Sequence, residues 1–398
     1  MRSLAATLAL VVVIAAAPAT AAAFRVESPM APRLQWNANR GYCGETAYIA
    51  AGMTFGQYTS QWTARGLAAP GLRQTAWASQ LLLDWPGGDW RTAATAMRLR
   101  ATGFDHTQYE DASPTYAGVF LSWVKRQFLD GGRVIIGVLD NAALLGEAGA
   151  GDPVYDHIVP VQAIASSRPL VARDDPGNAA DYEQRYYGDD VLTIGDNGLF
   201  TPIAGGRNFG AGNTAGNPRG STLYSATFDG IQRSRAEANR FPRACLSPVG
   251  DVTNACAPWV YSLYDNATGL GNYGVAITGV VDTTPGGPVV APVSLRASVN
   301  HEGRQDQAWL RRQPAGAPMS LTATVTIPDP ARAYRVYLYT SFADVPTGSF
   351  NAAAAAHPGA VARAWTIPAG SGATWTTTLA SASTAGTYVF RAVPADAP

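Results

Sequence analysis

Lysine is almost absent from this chain: Lys125 is the only one among its residues. Charged residues of all kinds make up 15% and cancel to a net charge of +0. No basic block and no basic stripe interleaved with aromatics appears, so nucleic acid is not an expected partner. Cysteine occurs 3 times and histidine 4 times in 398 residues. Their spacing forms no ligand motif, so neither a metal nor another cofactor is expected. The glycines between Gly205 and Gly220 are scattered. No GxGxxG or Walker pattern leads from a strand into a helix there, which leaves phosphate cradling unsupported. Beyond the N-terminus no stretch is long and apolar enough to span a bilayer.

The N-terminus itself reads as a processing signal. Met1-Arg2-Ser3 is a short positive start, Leu4 to Ala17 is apolar, and Ala21-Ala22-Ala23 offers a small-residue cleavage site before Phe24. Residues 1–23 are therefore expected to be a secretory signal peptide, and the mature chain to be secreted, extracellular or periplasmic. In an exported chain an odd cysteine count is informative. Cys245 and Cys256 lie close together among Pro, Gly and Asn and suit a local disulfide, which leaves Cys43 over.

Cys43 sits in Leu34 to Gly52, LQWNANRGYCGETAYIAAG, between Gly41 and Gly44. The Ala-rich run after it reads as a helix with Cys43 in the first turn. Free N–H groups and the positive end of the helix dipole gather there and favour a thiolate, the form that attacks a carbonyl carbon. The plainer alternative is a buried cysteine acting as a small hydrophobe.

Helical texture continues over Met53 to Trp62, Thr75 to Leu83 and Trp90 to Leu99. Trp85 and Trp90 flank a Gly/Pro turn, as core edges or as the lining of a groove. Pro114 to Leu129 is an amphipathic helix, with Tyr116, Phe120, Val124 and Phe128 recurring every four residues, Pro at its start and Gly131-Gly132 at its end. Val134 to Val138 (VIIGV) is an apolar strand, His157 to Val161 a second, Asp190 to Gly198 a third and Tyr273 to Val280 a further one. Phe228 to Asn239 reads as a helix.

Asp282 to Pro288 is a linker by composition. Past it, Ser320 to Ile327, Tyr334 to Tyr339 and Tyr388 to Val393 alternate with period two, as in a β-sandwich of immunoglobulin type, with Tyr388 as a corner tyrosine. The expected class is thus α+β, residues 24–285 forming the catalytic domain and 286–398 an all-β sandwich domain. Residues 24–285 are expected to fold alone.

If the His157 and Asp190–Gly198 strands pair antiparallel, His157 lies beside Asp196 or Asn197. A carboxylate or amide acceptor would fix its tautomer and leave the other ring nitrogen for the thiol. Asp196 is preferred. Asp156 points to the other side of its strand, and Asp190 is at the wrong end. His106 lies in a polar stretch, and His301 and His357 fall in the sandwich. An oxyanion donor belongs shortly before the nucleophile, where Gln35, Asn37 and Asn39 are available.

The order Gly-Tyr-Cys43-Gly-Glu, then a helix and the VIIGV strand, then Asp-His157-Ile-Val-Pro-Val and Leu-Thr-Ile-Gly-Asp196-Asn, resembles the papain-like cysteine peptidases. Their bacteriocin-processing branch is the most similar. The resemblance spans about residues 34–200. It implies a papain-like α+β fold, thiol-dependent hydrolysis of a peptide or protein substrate, and a glutamine oxyanion donor six positions before the cysteine. Here that position is Asn37, and Gln35 stands two residues further back. Two other functions fit the same residues. One is transglutaminase-like acyl transfer or amide hydrolysis on the same triad; the other is an inactive papain fold serving as a surface binding or adhesion module.

Overall fold

A computed structural model describes residues 24–36, 38–83, 90–104, 114–140, 157–170, 187–195, 197, 223–232, 261–263, 272–302 and 310–398. The signal segment, Asn37, Asp156, Asp196, His106, Trp85, Cys245 and Cys256 lie outside them.

The chain opens on β1 (Phe24–Glu27), α1 (Cys43–Met53), β2 (Gln57–Tyr58), α2 (Gln61–Ala68), α3 (Trp90–Ala96) and β3 (Leu99–Gly103). It continues through α4 (Pro114–Leu129), β4 (Arg133–Asp140), β5 (His157–Ser166), β6 (Val191–Gly195), β7 (Leu223–Thr227), α5 (Phe228–Ile231), β8 (Tyr261–Ser262) and β9 (Gly274–Val280). The remaining elements are β10 (Val293–Ala297), β11 (Pro318–Thr326), β12 (Tyr334–Tyr339), α6 (Phe350–Ala356), β13 (Arg363–Ile367), β14 (Thr374–Ser383) and β15 (Tyr388–Pro394).

The first sheet runs β3-β9-β4-β5-β6-β7, with β1 added to β5 and β8 to β4. Every pairing in it is antiparallel. β4 and β5 are apolar on both faces because both faces are covered. On one face α4 buries Phe120, Val124 and Phe128 against Val134, Ile136, Val138, Val159 and Val161. On the other, Ile135, Ile158, Val275 and Ile277 meet Ala47, Tyr48, Ala50 and Ala51 of α1.

The second half forms two antiparallel sheets, β10-β11-β14 and β13-β12-β15-β2. Leu321, Ala323 and Val325 of β11 face Val336, Leu338, Phe390 and Ala392 across a shared core, which makes a sandwich. Its corner is closed by Tyr388, whose hydroxyl accepts from Ser383 N at 2.7 Å.

The structure corrects three readings of the sequence. The helix expected over Met53 to Trp62 is interrupted: α1 ends at Met53, a turn and the two-residue β2 follow, and α2 starts at Gln61. Gly56, at φ +76, turns the chain out of α1, and a Cβ on it would stand 2.8 Å from Val293 Cβ. The helix expected over Thr75 to Leu83 shrinks to a single 3-10 turn, Trp77–Ser79. Leu99 begins β3 rather than ending α3. Trp90 is a core residue, packed with Tyr48 and Met97. Of Phe228 to Asn239, the described part is α5 and its C-cap.

A fourth finding concerns the boundary at residues 285 and 286. The architecture does change there, but the two parts share cores and a sheet. Ile49, Met53, Tyr58 and Ala64 belong to the sandwich core. Tyr337, Tyr339, Phe342 and Val389 belong to the core that holds α1. Tyr58 pairs with Tyr388, and Gln57 with Val389. α1 is therefore buried on all sides, between the first sheet and the sandwich.

A buried carboxylate reinforces the junction. Glu302 Oε2 accepts from Gln61 N at 2.9 Å, and its Oε1 stands 3.8 Å from Arg33 Nη2. Burial pushes the Glu302 carboxyl from 4.5 up to about 7, against the opposing pull of Arg33 and Gln61. Between those values the native chain keeps a proton that the unfolded chain has released. Stability from this group is thus complete below about 4.5, falls as pH rises towards 7, and is flat above. The fall amounts to about 3 kcal/mol. Denaturant titrations across this interval should show it in wild type and not in Glu302→Gln; equal slopes would reject the assignment.

Candidate active site

Cys43 is the first residue of α1 and is a partly buried free thiol. The N-cap residue, Tyr42, makes no side-chain hydrogen bond to the first turn, so it leaves those N–H groups unspent. Gly44 follows because nothing larger fits: a Cβ there would fall 2.1 Å from Leu81 O and 3.1 Å from Ile158 Cδ1. Through that approach the starts of α1 and β5 meet.

Two amides stand beside the thiol's backbone. Asn197 is buried and donates from Nδ2 to Cys43 O at 2.9 Å, while its Oδ1 has no hydrogen-bond partner among the described residues. Gln35 N donates to Asn197 O at 2.8 Å, which joins the segment before Cys43 to the residues just past β6. The Gln35 side chain is buried with an unpartnered Oε1, and its Nε2 would stand 3.6 Å from a Cβ on Gly41. Gln35 thus reaches the loop before Cys43 even though it lies eight positions back. The 3-10 turn Ala38–Arg40 takes up the additional length. Asn39 is structural. Its Nδ2 donates to Tyr42 Oη at 2.9 Å and to Leu310 O at 3.0 Å, and its Oδ1 accepts from Leu310 N at 3.1 Å.

β5 and β6 pair antiparallel, Val161 opposite Ile194, so β6 ends at the His157 end of β5. His157 is buried and opens β5 opposite Val138. Val138 belongs to the α4 face, and directly opposed residues share a face. Ile158 is the residue turned to α1. As the first residue of its strand, His157 reaches the Cys43 side only around the strand's end. Asp190 is removed from consideration as the histidine's partner: it is fully buried in an ion pair with Lys125 of α4. His357 is exposed, just past α6.

A buried cluster that sequence reading misses holds the loop before Cys43. Arg65 of α2 and Glu45 of α1 pair at 2.6 Å with side chains 0% and 1% exposed. Arg65 also donates to the carbonyls of Asn39, Gly41 and Gln74, and its guanidinium lies 3.6 Å from the Tyr42 ring centre. Glu45 Oε1 accepts from Leu81 N at 3.0 Å. The signal in the sequence is a single charge on the buried face of each helix, beside small residues such as Ala47, Ala64 and Ala68. Beyond Tyr42 an open cleft is lined by Trp62, Leu72, Arg73, Gln74, Leu310 and Arg311.

Among the described residues no group of three His, Cys, Asp or Glu side chains can hold a metal ion. No helix among them is long and apolar enough to cross a membrane. Set against protein-family models, curated proteins and solved structures, the chain matches none of them.

Proposed function

We infer that the chain is an exported cysteine hydrolase of papain-like type, cleaving peptide bonds with Cys43 as the nucleophile. The observation that carries this reading is the free thiol at the uncapped start of α1 with the Gln35 and Asn197 amides gathered about its backbone. Cys43 Sγ attacks the scissile carbonyl carbon, and His157 takes the thiol proton and returns it to the leaving amine. Water then hydrolyses the thioester. The Cys43 N–H and Gln35 Nε2 serve the oxyanion, with Asn37 as the alternative amide. Orientation of His157 falls to Asp196, with Asn197 Oδ1 as the second acceptor. The cleft beside Tyr42 borders the same loop and offers the substrate a seat.

Labelling the full chain with iodoacetamide and with a peptidyl epoxide tests the assignment. Cys43 should react faster than the same thiol in the denatured chain, and His157→Ala should slow it at least tenfold. On a casein digest, Cys43→Ala and His157→Ala should each lower turnover by roughly 10⁴-fold or more, and the double variant should be no worse. Trapping of added amines in place of hydrolysis would move the reaction to acyl transfer on the same triad.

The β4–β5 register favours a second reading, because it gives the α1 face to Ile158 and not to His157. In that reading the fold binds without cleaving. Slow alkylation of Cys43, unchanged in His157→Ala, would establish it over the first.

A further inference from the structure

We propose that the cleft between the head of β3 and the α6 segment binds a carboxylate carried on an apolar body. The cleft encloses about 890 Å³ together with its open mouth, and Arg98 and Tyr339 stand in its wall. Tyr339, the last residue of β12, is 1% exposed, and its hydroxyl has no hydrogen-bond partner among the described residues. Arg98 Nε is buried and likewise unpartnered. A buried polar group without a partner is costly, and the two residues that carry these atoms line one cleft, which marks it as a place that a ligand or water completes.

The backbone at Arg98 adds a second, independent observation. It lies in the turn from α3 into β3 at φ 56, the left-handed region where a helix end ordinarily takes glycine. The chain holds an arginine in that position, and its Nε makes no hydrogen bond among the described residues.

The chemistry of the wall selects the ligand. Both orphans are donors or can act as donors, and one carries positive charge, which calls for an anionic acceptor with two oxygens. Val345, Pro346, Ala354 and Val361 stand in the lining, with Thr347 and His357 among them, which disfavours a fully hydrated anion such as phosphate and fits an aliphatic body. Asp344, exposed in the same cleft, disfavours a second negative charge. The shared chemistry is that of a free aliphatic monocarboxylate or of the C-terminal apolar residue of a peptide.

Calorimetric titration of the mature full-length chain tests this with three probes: octanoate, an acetylated tetrapeptide ending in leucine, and the C-terminal amide of that peptide. Saturable binding of octanoate alone assigns a free acid, and binding of the peptide acid assigns a chain terminus. The amide should bind at least tenfold more weakly than the peptide acid. Arg98→Gly relieves the left-handed backbone, so it should melt no lower than wild type while losing at least tenfold in affinity. Tyr339→Phe keeps the ring and should lose severalfold. The proposal is overturned if neither acid binds at millimolar concentration, if the amide matches its acid, or if Arg98→Gly binds as wild type does. None of these readouts depends on Cys43, so the result stands apart from the hydrolase reading.

Discussion

Deletion of residues 286–398 is expected to leave an insoluble or unfolded remainder. The deletion uncovers Ile49 and Met53 of α1 and Tyr58 of β2, each 0–1% exposed in the whole chain. Re-exposing a large apolar side chain costs about 1.5–3 kcal/mol, so these three alone reach about 5–9 kcal/mol. That is comparable to the whole stability of an ordinary domain, about 5–15 kcal/mol. Gln57 and Tyr58 lose their strand partner, and Arg33 loses Glu302, the only carboxylate with which it forms an ion pair among the described residues. Expression of residues 24–285 beside the full mature chain, with circular dichroism and a denaturant titration, measures the effect. A soluble fragment with a cooperative transition near that of the full chain would show that the first sheet and α4 suffice.

Arg65→Met is expected to lower stability by about 3–5 kcal/mol, because it leaves the Glu45 carboxylate buried without its cation. Three backbone carbonyls, those of Asn39, Gly41 and Gln74, lose a donor at the same time. The loop that delivers Cys43 should loosen, so thiol labelling of the native variant should change with stability. Glu45→Gln should cost a similar amount, and Glu45→Gln with Arg65→Met should cost less than the sum, since the unpaired charge is then gone. Denaturant midpoints for the two single variants and the double variant provide the comparison. Single losses below 1 kcal/mol, adding without coupling, would mean that the pair does not hold this loop.

Much of the fold is legible in the chain because its signals are local. The four-residue period of Phe120, Val124 and Phe128 marks α4, with Pro114 at its first position. VIIGV and HIVPV are too short and too apolar for anything but covered strands, and they pair as β4 and β5. Strict alternation marks β11, whereas β12 and β15 are buried along most of their length. Cys43 at the opening of α1 and Tyr388 at a strand corner are likewise readable from their neighbours.

What only the tertiary structure decides is set by partners far away in sequence. Thr75 to Leu83 has helical composition, yet Glu45 takes the Leu81 N–H and Arg65 takes the Gln74 carbonyl, so most of the segment lies down as an irregular strap. Gln57 and Tyr58 become a strand because β15 offers them an edge some 330 residues later. The roles of Arg65 and Glu45 exist only once α1 and α2 are packed, since neither charge has a reason to be buried alone. Residue type and spacing single out the thiol, the histidine and the nearby amides as candidates, because those patterns depend on a few adjacent positions. Which sheet face His157 takes, that Asn197 holds the Cys43 carbonyl, and that the sandwich completes the burial of α1 follow from strand register and shared cores, which no local pattern encodes.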